Sequence, residues 1–228
     1  MPQSTLVGAG PRKHRVLVVD DHPIVRQGLA LLIDQELDLV VCGAAEEAHS
    51  ALHAIATLRP DIIILDISLP GPDGIELLKT IRSLDPDLPI LVLSMHAESV
   101  YAERALRAGA NGYIMKQEAT DNVLDALRRI LRREVYVSER IANTMLRQLV
   151  SGSRKPEGPP EARLSDRELE VFRMIGMGLG TRQIADELKL SVKTVESYQA
   201  HIKEKLGLQG ARDLMQRAIQ WRLSEVVE

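Results

Sequence analysis

Asp20, Asp21, Asp66, Ser94 and Lys116 are the residues of this chain whose types could do chemistry together. They are far apart in sequence, yet each follows directly on a short apolar run. The runs are "RVLVV" before the aspartate pair, "IIIL" before Asp66, "PILVL" before Ser94 and "GYIM" before Lys116. Three carboxylates at one edge repel each other unless a proton or a cation bridges them. Oxygen donors of this kind suit Mg2+, which accepts one or two carboxylates, keeps several waters and expects phosphate oxygens nearby. A hydroxyl and a lysine facing the same edge supply the charge neutralisation that a transferred phosphoryl group needs. Asp66 can then act as a carboxylate nucleophile and form an acyl phosphate. Taken singly, each residue has an ordinary explanation, because aspartates open turns and cap helices and a lysine is usually a solvated charge. What needs explaining is their shared position at the ends of apolar runs.

The elements that would bring them together are written in the hydrophobic pattern. Five apolar runs, at 15–19, 39–43, 62–65, 89–94 and 112–115, alternate with amphipathic segments such as "PIVRQGLALLID" and "GIELLKTIRSL". Continuous apolar strands alternating with helices predict a parallel sheet covered on both faces. Right-handed crossovers make it an α/β doubly wound domain with five strands, and such sheets bind ligands outside the carboxyl ends of their strands. That is where all five residues fall. Residues 1–14 lack periodicity and are expected to be a disordered tail. After the sheet domain at 15–132, residues 133–160 read as a strand-like piece, a helix in "VYVSERIANTMLRQLV" and a flexible linker in "SGSRKPEGPPEAR".

Residues 161–226 are predicted to be a small all-α domain of four helices. "LSDRELEV" carries a capping-box signature, Ser165 with Glu168 three residues later. Leu169, Phe172 and Ile175 form the apolar face of the first helix, and Ile184, Ala185 and Leu188 that of "TRQIADEL". Ser191 caps a third helix whose stripe is Val195, Tyr198, Ile202 and Leu206. Two helices joined by a tight turn, the second with a polar outer face, form a helix-turn-helix. "ARDLMQRAIQWRL" supplies the fourth helix, in which Trp221 is expected to pack inside.

Composition narrows the classes. Residues 15–133 hold 12 Lys/Arg against 18 Asp/Glu, residues 164–228 hold 10 of each, and residues 191–222 hold six against three. An acidic front and a neutral rear, with positive charge enriched only at 191–222, suggest two units with different tasks. Aromatics make up 3% of the chain, so the cores must be aliphatic. The single cysteine, Cys42, cannot form an intramolecular disulfide. No apolar stretch approaches 18 residues and no signal-peptide pattern is present, which predicts a cytoplasmic protein with no membrane partner. His49 and His53 are four apart but lack further ligands for zinc.

"VLVVDDH", "IIILDISLPGPDG", "ILVLS" and "GYIMK", in this order, closely resemble the receiver domain of two-component response regulators, a flavodoxin-like fold. The resemblance implies that Asp66 is phosphorylated by a sensor histidine kinase. It implies that Asp21 binds Mg2+ directly, Asp20 binds it through water and the Ser68 carbonyl supplies another ligand. Ser94 would be the switch hydroxyl, Lys116 the partner of the phosphoryl group and Tyr113 the switch aromatic. "LSDRELEV…TRQIADELKLSVKTVESYQAHIKEKLGL" resembles the LuxR-type output domain, so that the whole chain is similar to the NarL/FixJ class from about Arg15 to Trp221. From that resemblance, double-stranded promoter DNA is the target, with RNA polymerase a candidate partner. Val192 to Leu206 would be the recognition helix, with Thr194 at a phosphate and Glu196, Ser197 and Ala200 facing bases. Lys193 would sit at the groove entrance, with Lys203 and Lys205 near the polar face. Leu214, Met215 and Ala218 on the fourth helix would pair two copies once the receiver is phosphorylated and releases that surface.

The chain departs from the family pattern at Met95, where a small residue is usual, at Tyr198, where His is frequent, and at Gly180, where Ser often caps. An aspartyl-phosphate phosphatase would need a second Asp two residues after Asp66, where Ser68 stands. Flavin binding would need a phosphate-cradling loop after the first strand, and "DDHPI" is acidic and without Gly. A receiver that regulates by protein contacts alone is the third reading. The intact pocket favours a regulator that catalyses only its own phosphorylation and dephosphorylation, rather than an enzyme.

Overall fold

The computed structural model describes residues 12–69, 74–95, 98–151 and 159–225. The expected tail, 1–14, lies outside them up to residue 11, whereas its last residue, His14, belongs to the first strand and donates its amide to the Asp38 carbonyl (2.8 Å); the linker at 152–158 also lies outside. Five strands, β1 (His14–Val19), β2 (Leu39–Ala45), β3 (Ile62–Asp66), β4 (Ile90–Ser94) and β5 (Gly112–Met115), form one sheet in the order β2-β1-β3-β4-β5. Every ladder in it is parallel. The helices between them are α1 (Pro23–Asp34), α2 (Ala48–Leu58), α3 (Gly74–Leu84) and α4 (Glu98–Arg107), with α5 (Ala119–Leu131) after β5.

The strands are apolar throughout because both faces are covered. Val16, Val18, Ile62, Ile64, Leu91 and Leu93 pack with Leu29 and Ile33 of α1 and Val123, Leu127 and Ile130 of α5. Leu17, Val19, Ile63, Leu65 and Val92 point the other way, into Ala51, Ile75, Leu78, Ile81 and Ala102 of α2, α3 and α4. Burying each such aliphatic side chain contributes about 1.5–3 kcal/mol relative to exposure, before the entropy of ordering it. Pro23 occupies the first turn of α1, where its missing N–H is no loss.

After α5 the chain comes back along the edge of β5. The Tyr136 amide donates to the Asn111 carbonyl (3.0 Å) and the Tyr113 amide donates to the Tyr136 carbonyl (2.9 Å). The strand-like reading of "VYV" therefore amounts to one parallel bridge, Gly112 to Tyr136. The chain then enters α6 (Glu139–Ser151).

The second unit comprises a 3-10 turn (Pro160–Arg163), α7 (Asp166–Gly176), α8 (Thr181–Glu187), α9 (Val192–Leu206) and α10 (Ala211–Glu225). The Ser165–Glu168 capping box forms: the Ser165 amide donates to Glu168 Oε2 (2.7 Å) and the Glu168 amide to Ser165 Oγ (3.3 Å). Gly180 caps α8 without a side chain, and Gln183 accepts its amide instead (2.8 Å). Leu169, Phe172, Ile184, Val195, Ile202, Leu214 and Trp221 are buried together, and the Phe172 and Trp221 rings lie 5.5 Å apart. Gly207 closes α9 at φ +66°, a conformation natural to glycine. Lys189, in the turn between α8 and α9, holds φ 54° without that freedom.

The two units meet through charge and apolar packing. Arg104 on α4 donates to Asp166 Oδ1 (3.0 Å) and to the carbonyls of Ala162 (3.1 Å) and Leu164 (2.5 Å). Lys79 on α3 donates to Asp166 Oδ2 (2.9 Å). Beside this clamp, Ile67, Leu69, Ile75 and Tyr101 face Leu169 and Glu170 of α7.

Candidate functional site

Sheet register accounts for the convergence of the sequence candidates. Val19 pairs with Leu65, Asp66 with Leu93 and Ser94 with Met115. Asp20 and Asp66 are therefore next to each other on adjacent strands, Ser94 is one step beyond the partner of Asp66, and Lys116 is one step beyond the partner of Ser94. Because β1 has β2 on one side and β3 on the other, this edge is also where the strand order reverses.

Asp20, Asp66 and Ser94 are buried, and the Lys116 side chain is nearly so. Lys116 Nζ lies 2.7 Å from Asp66 Oδ2 and 2.7 Å from Asp20 Oδ2, between the two carboxylates. The Ser68 amide donates to Asp66 Oδ1 (2.8 Å). Burial pushes the Asp66 carboxyl above the usual range, and Lys116 and the Ser68 amide oppose that shift without cancelling it. Burial alone would lower the Lys116 ammonium, but Asp66 and Asp20 outweigh it and hold the group above the ordinary lysine value. The site thus keeps a cation fixed where negative charge would gather on a group attached to Asp66.

Asp20, Asp21, His22 and Asp66 each present a ligand atom, all within 4.8 Å of one another. Asp20 Oδ2 and Asp21 Oδ1 are buried without a hydrogen bond of good geometry. Each has one ionic neighbour, Lys116 Nζ for Asp20 Oδ2 and His22 Nδ1 for Asp21 Oδ1, and carboxylates crowded in this way fit a hard, oxygen-seeking cation. The sequence reading missed two supports of this cluster. His22 Nδ1 lies 2.6 Å from Asp21 Oδ1 and its amide donates to Asp20 Oδ1 (2.8 Å), while Arg26 donates to the Asp20 carbonyl (2.6 Å). The neighbouring "DDH" was a signal for the first. Nothing in the sequence pointed to Arg26, one turn into α1.

Tyr113 is already buried. The side chain expected to act as the switch aromatic thus lies inside in this conformation. Met95, about half exposed, stands at the rim just after Ser94.

On α9, Lys193, Glu196, Ser197 and Ala200 are exposed, as a surface that reads another molecule must be. Thr194 is partly buried, with its amide donating to Ser191 Oγ (3.0 Å). Gln199 ties α9 to α8 through Thr181 Oγ1 (3.2 Å). Lys203 is half-buried, and Lys205 forms an ion pair with Glu168 Oε2 at 2.6 Å. Lys205 therefore has a structural task that the charge pattern did not suggest.

The expected pairing residues need correction. Leu214 and Ala218 are buried in the core of their own domain and cannot face a second copy. Of the three, only Met215 lies on the surface, where Ile219 and Leu223 continue the stripe at 48%, 40% and 57% exposure along α10. The exposed stripe is not hidden beneath the receiver, so it needs no release.

Residues 16–128 match the family model of the response regulator receiver domain, and residues 162–218 match that of the bacterial regulatory proteins of the luxR family. The oxygen regulatory protein NreC of Staphylococcus aureus is 33% identical over 215 residues, which span 92% of this chain and 99% of NreC. RcsB from Salmonella enterica serovar Typhimurium, bound to promoter rprA in the presence of phosphomimetic BeF3-, is 29% identical with a TM-score of 0.67, covering 90% of this chain and 98% of that one. A second structure, of the Salmonella typhimurium RcsB response regulator, gives 28% identity and a TM-score of 0.71 over 92% of this chain and 98% of that one. Among the described residues no helix is long and apolar enough to cross a membrane.

Proposed function

The chain belongs to the NarL/FixJ class of two-component response regulators, a receiver joined to a LuxR-type helix-turn-helix, and from that premise we propose how it works. Asp66 accepts a phosphoryl group from a histidine of a sensor kinase. A carboxylate oxygen of Asp66 attacks phosphorus, a P–O bond forms as the P–N bond to imidazole breaks, and the imidazole takes up a proton. Asp20, Asp21 and Asp66, with the Ser68 carbonyl, would hold Mg2+, which supplies charge neutralisation at the phosphoryl oxygens. Lys116 stays between Asp66 and Asp20 and pairs with the added charge, and Ser94 donates its hydroxyl to it. Regulated DNA binding in the cytoplasm is the output. Ser197, Ala200 and Glu196 face bases, with Lys193, Thr194, Lys203 and Lys205 toward phosphates. Two copies pair through the surface stripe of Met215, Ile219 and Leu223, and inverted half-sites match that symmetry.

The observation that carries this reading is the buried Asp66–Lys116–Asp20 cluster at the strand-order switch, in a chain whose α9 outer face is open. The test is covalent labelling. With Mg2+ and acetyl phosphate the protein should gain one phosphoryl group that hydroxylamine removes, and chelation of the metal should prevent it. Asp66→Asn should not label. Full labelling of Asp66→Asn would sink the assignment.

A further inference from the structure

The segment 135–138, between the sheet and α6, is tied to both ends of the receiver's switch region. On one side it lies against β5 at Tyr113: the Tyr113 amide donates to the Tyr136 carbonyl at 2.9 Å. The approach is close, since a Cβ at Gly112 would stand 2.8 Å from that carbonyl oxygen. On the other side it holds Glu98, the first residue of α4 and four residues beyond Ser94. The Ser138 hydroxyl donates to Glu98 Oε2 (2.6 Å) and the Ser138 amide to Glu98 Oε1 (3.2 Å). Arg140 adds a longer ionic contact at 3.9 Å.

Glu98 is unusual for a glutamate in a first helical turn, where the helix dipole favours the charge and water normally solvates it. Here it is buried. Burying a carboxylate is costly unless its oxygens are satisfied, and both oxygens are taken by the start of α6. Ser138 in turn serves α6, with its hydroxyl accepting the Ile141 amide (3.3 Å) and its carbonyl accepting the Ala142 amide (3.0 Å). One hydroxyl therefore links α4 to α6, the helix that leads toward the output domain.

We propose that Glu98 is a positioning residue that reports the state of the receiver pocket to the output domain through Ser138. In the resting protein the Glu98–Ser138 joint holds the first turn of α6 against α4. When Ser94 is drawn toward a phosphoryl group on Asp66, α4 follows at its first turn, Glu98 leaves Ser138, and α6 loses its anchor. This rests on the assignment of Asp66 as phosphoacceptor.

The test uses the full-length protein with acetyl phosphate and Mg2+, comparing wild type with Glu98→Ala, Ser138→Ala and Ser138→Thr. Three quantities are read: Asp66 labelling, hydrogen exchange at the Ile141 and Ala142 amides, and DNA affinity before and after labelling. All variants should label like wild type, because neither residue touches the pocket. In wild type, exchange at 141–142 should quicken on labelling. In Glu98→Ala and Ser138→Ala it should already be fast without phosphate, and the gain in DNA affinity on labelling should shrink by about fivefold or more. Ser138→Thr keeps the hydroxyl and should behave as wild type, which a role in packing alone would not predict. Where Glu98→Ala does not fold, Ser138→Ala decides. Normal exchange and a normal DNA response in Ser138→Ala would overturn the joint while leaving the phosphoacceptor reading intact. A wild-type protein that does not label at all would remove that reading, and this one with it.

Discussion

The receiver pocket and the outer face of α9 place polar residues in opposite surroundings. In the pocket, Asp20, Asp66, Ser94 and Lys116 are withdrawn from water, and Lys116 holds the two carboxylates at 2.7 Å each. On α9, Lys193, Glu196, Ser197 and Ala200 face solvent. Chemistry needs charges kept in place at a cost to stability, and that cost makes the residues conspicuous. Recognition needs groups left open to another molecule, where any one of them looks like an ordinary solvated helix face. Geometry can therefore argue for phosphoryl transfer from side chains, whereas reading of DNA must be argued from architecture.

The largest expected effect contrasts two lysines. Lys116→Ala leaves two buried carboxylates facing each other, and breaking a buried pair costs about 3–5 kcal/mol. Receiver unfolding in urea at neutral pH should report that loss. Lys203→Ala on the recognition helix should change stability by less than roughly 0.5 kcal/mol. Equal losses for the two would erase the distinction between the regions.

Base discrimination comes next. Ser197→Ala should change which base is preferred at one position of each half-site, by about 1–3 kcal/mol for the affected base pair. Lys203→Ala should weaken binding to all sequences alike and flatten the salt dependence. Lys205→Ala should do the same and also loosen the output domain, because it loses Glu168. Affinity measured against a panel of operators at several salt concentrations separates the three.

Asp66→Asn should stabilise the unphosphorylated, metal-free receiver by on the order of 1 kcal/mol at pH 7, as relief of a strained site does. The sign follows from burial, which raises the folded-state pKa of Asp66 above its unfolded value. A group of that kind contributes most favourably below its unfolded pKa and loses the contribution as pH rises through the folded value. The advantage of Asp66→Asn over wild type should therefore shrink as the pH is lowered. Thermal unfolding across an acid-to-neutral series checks it, and an advantage that grew on acidification would contradict the assigned shift.

The smallest effect concerns the turn before the recognition helix. Lys189→Gly should stabilise the output domain by roughly 0.5–1 kcal/mol, since Lys189 is held at φ 54° where glycine has no Cβ penalty. Its DNA preferences should not change. Calorimetry of the output transition provides the measurement.

The legible and illegible parts divide along the same line. Continuous apolar runs ending in polar residues located the sheet, its carboxyl edge and the five polar side chains that gather there, because strand period and topology leave those side chains one place to go. The capping box at Ser165 and the buried place of Trp221 were equally readable. Arg26 was not, since its bond to the Asp20 carbonyl depends on the tilt of α1. Leu214 and Ala218 were misassigned because the spacing of an apolar stripe does not say which part of it the domain core consumes. The Glu98–Ser138 joint was invisible for a related reason: a glutamate opening a helix looks solvated until the chain that covers it is known.

The central claim is that a phosphoryl group on Asp66 controls DNA binding by α9. Its most direct test is the affinity of full-length protein for one palindromic operator, at fixed salt, before and after acetyl phosphate with Mg2+, in wild type and in Asp66→Asn. Labelled wild type should bind at least about fivefold more tightly than unlabelled, within the range of allosteric coupling. Asp66→Asn should keep the unlabelled affinity under both conditions. An unchanged affinity in fully labelled wild type, or an equal gain in Asp66→Asn, would contradict the account.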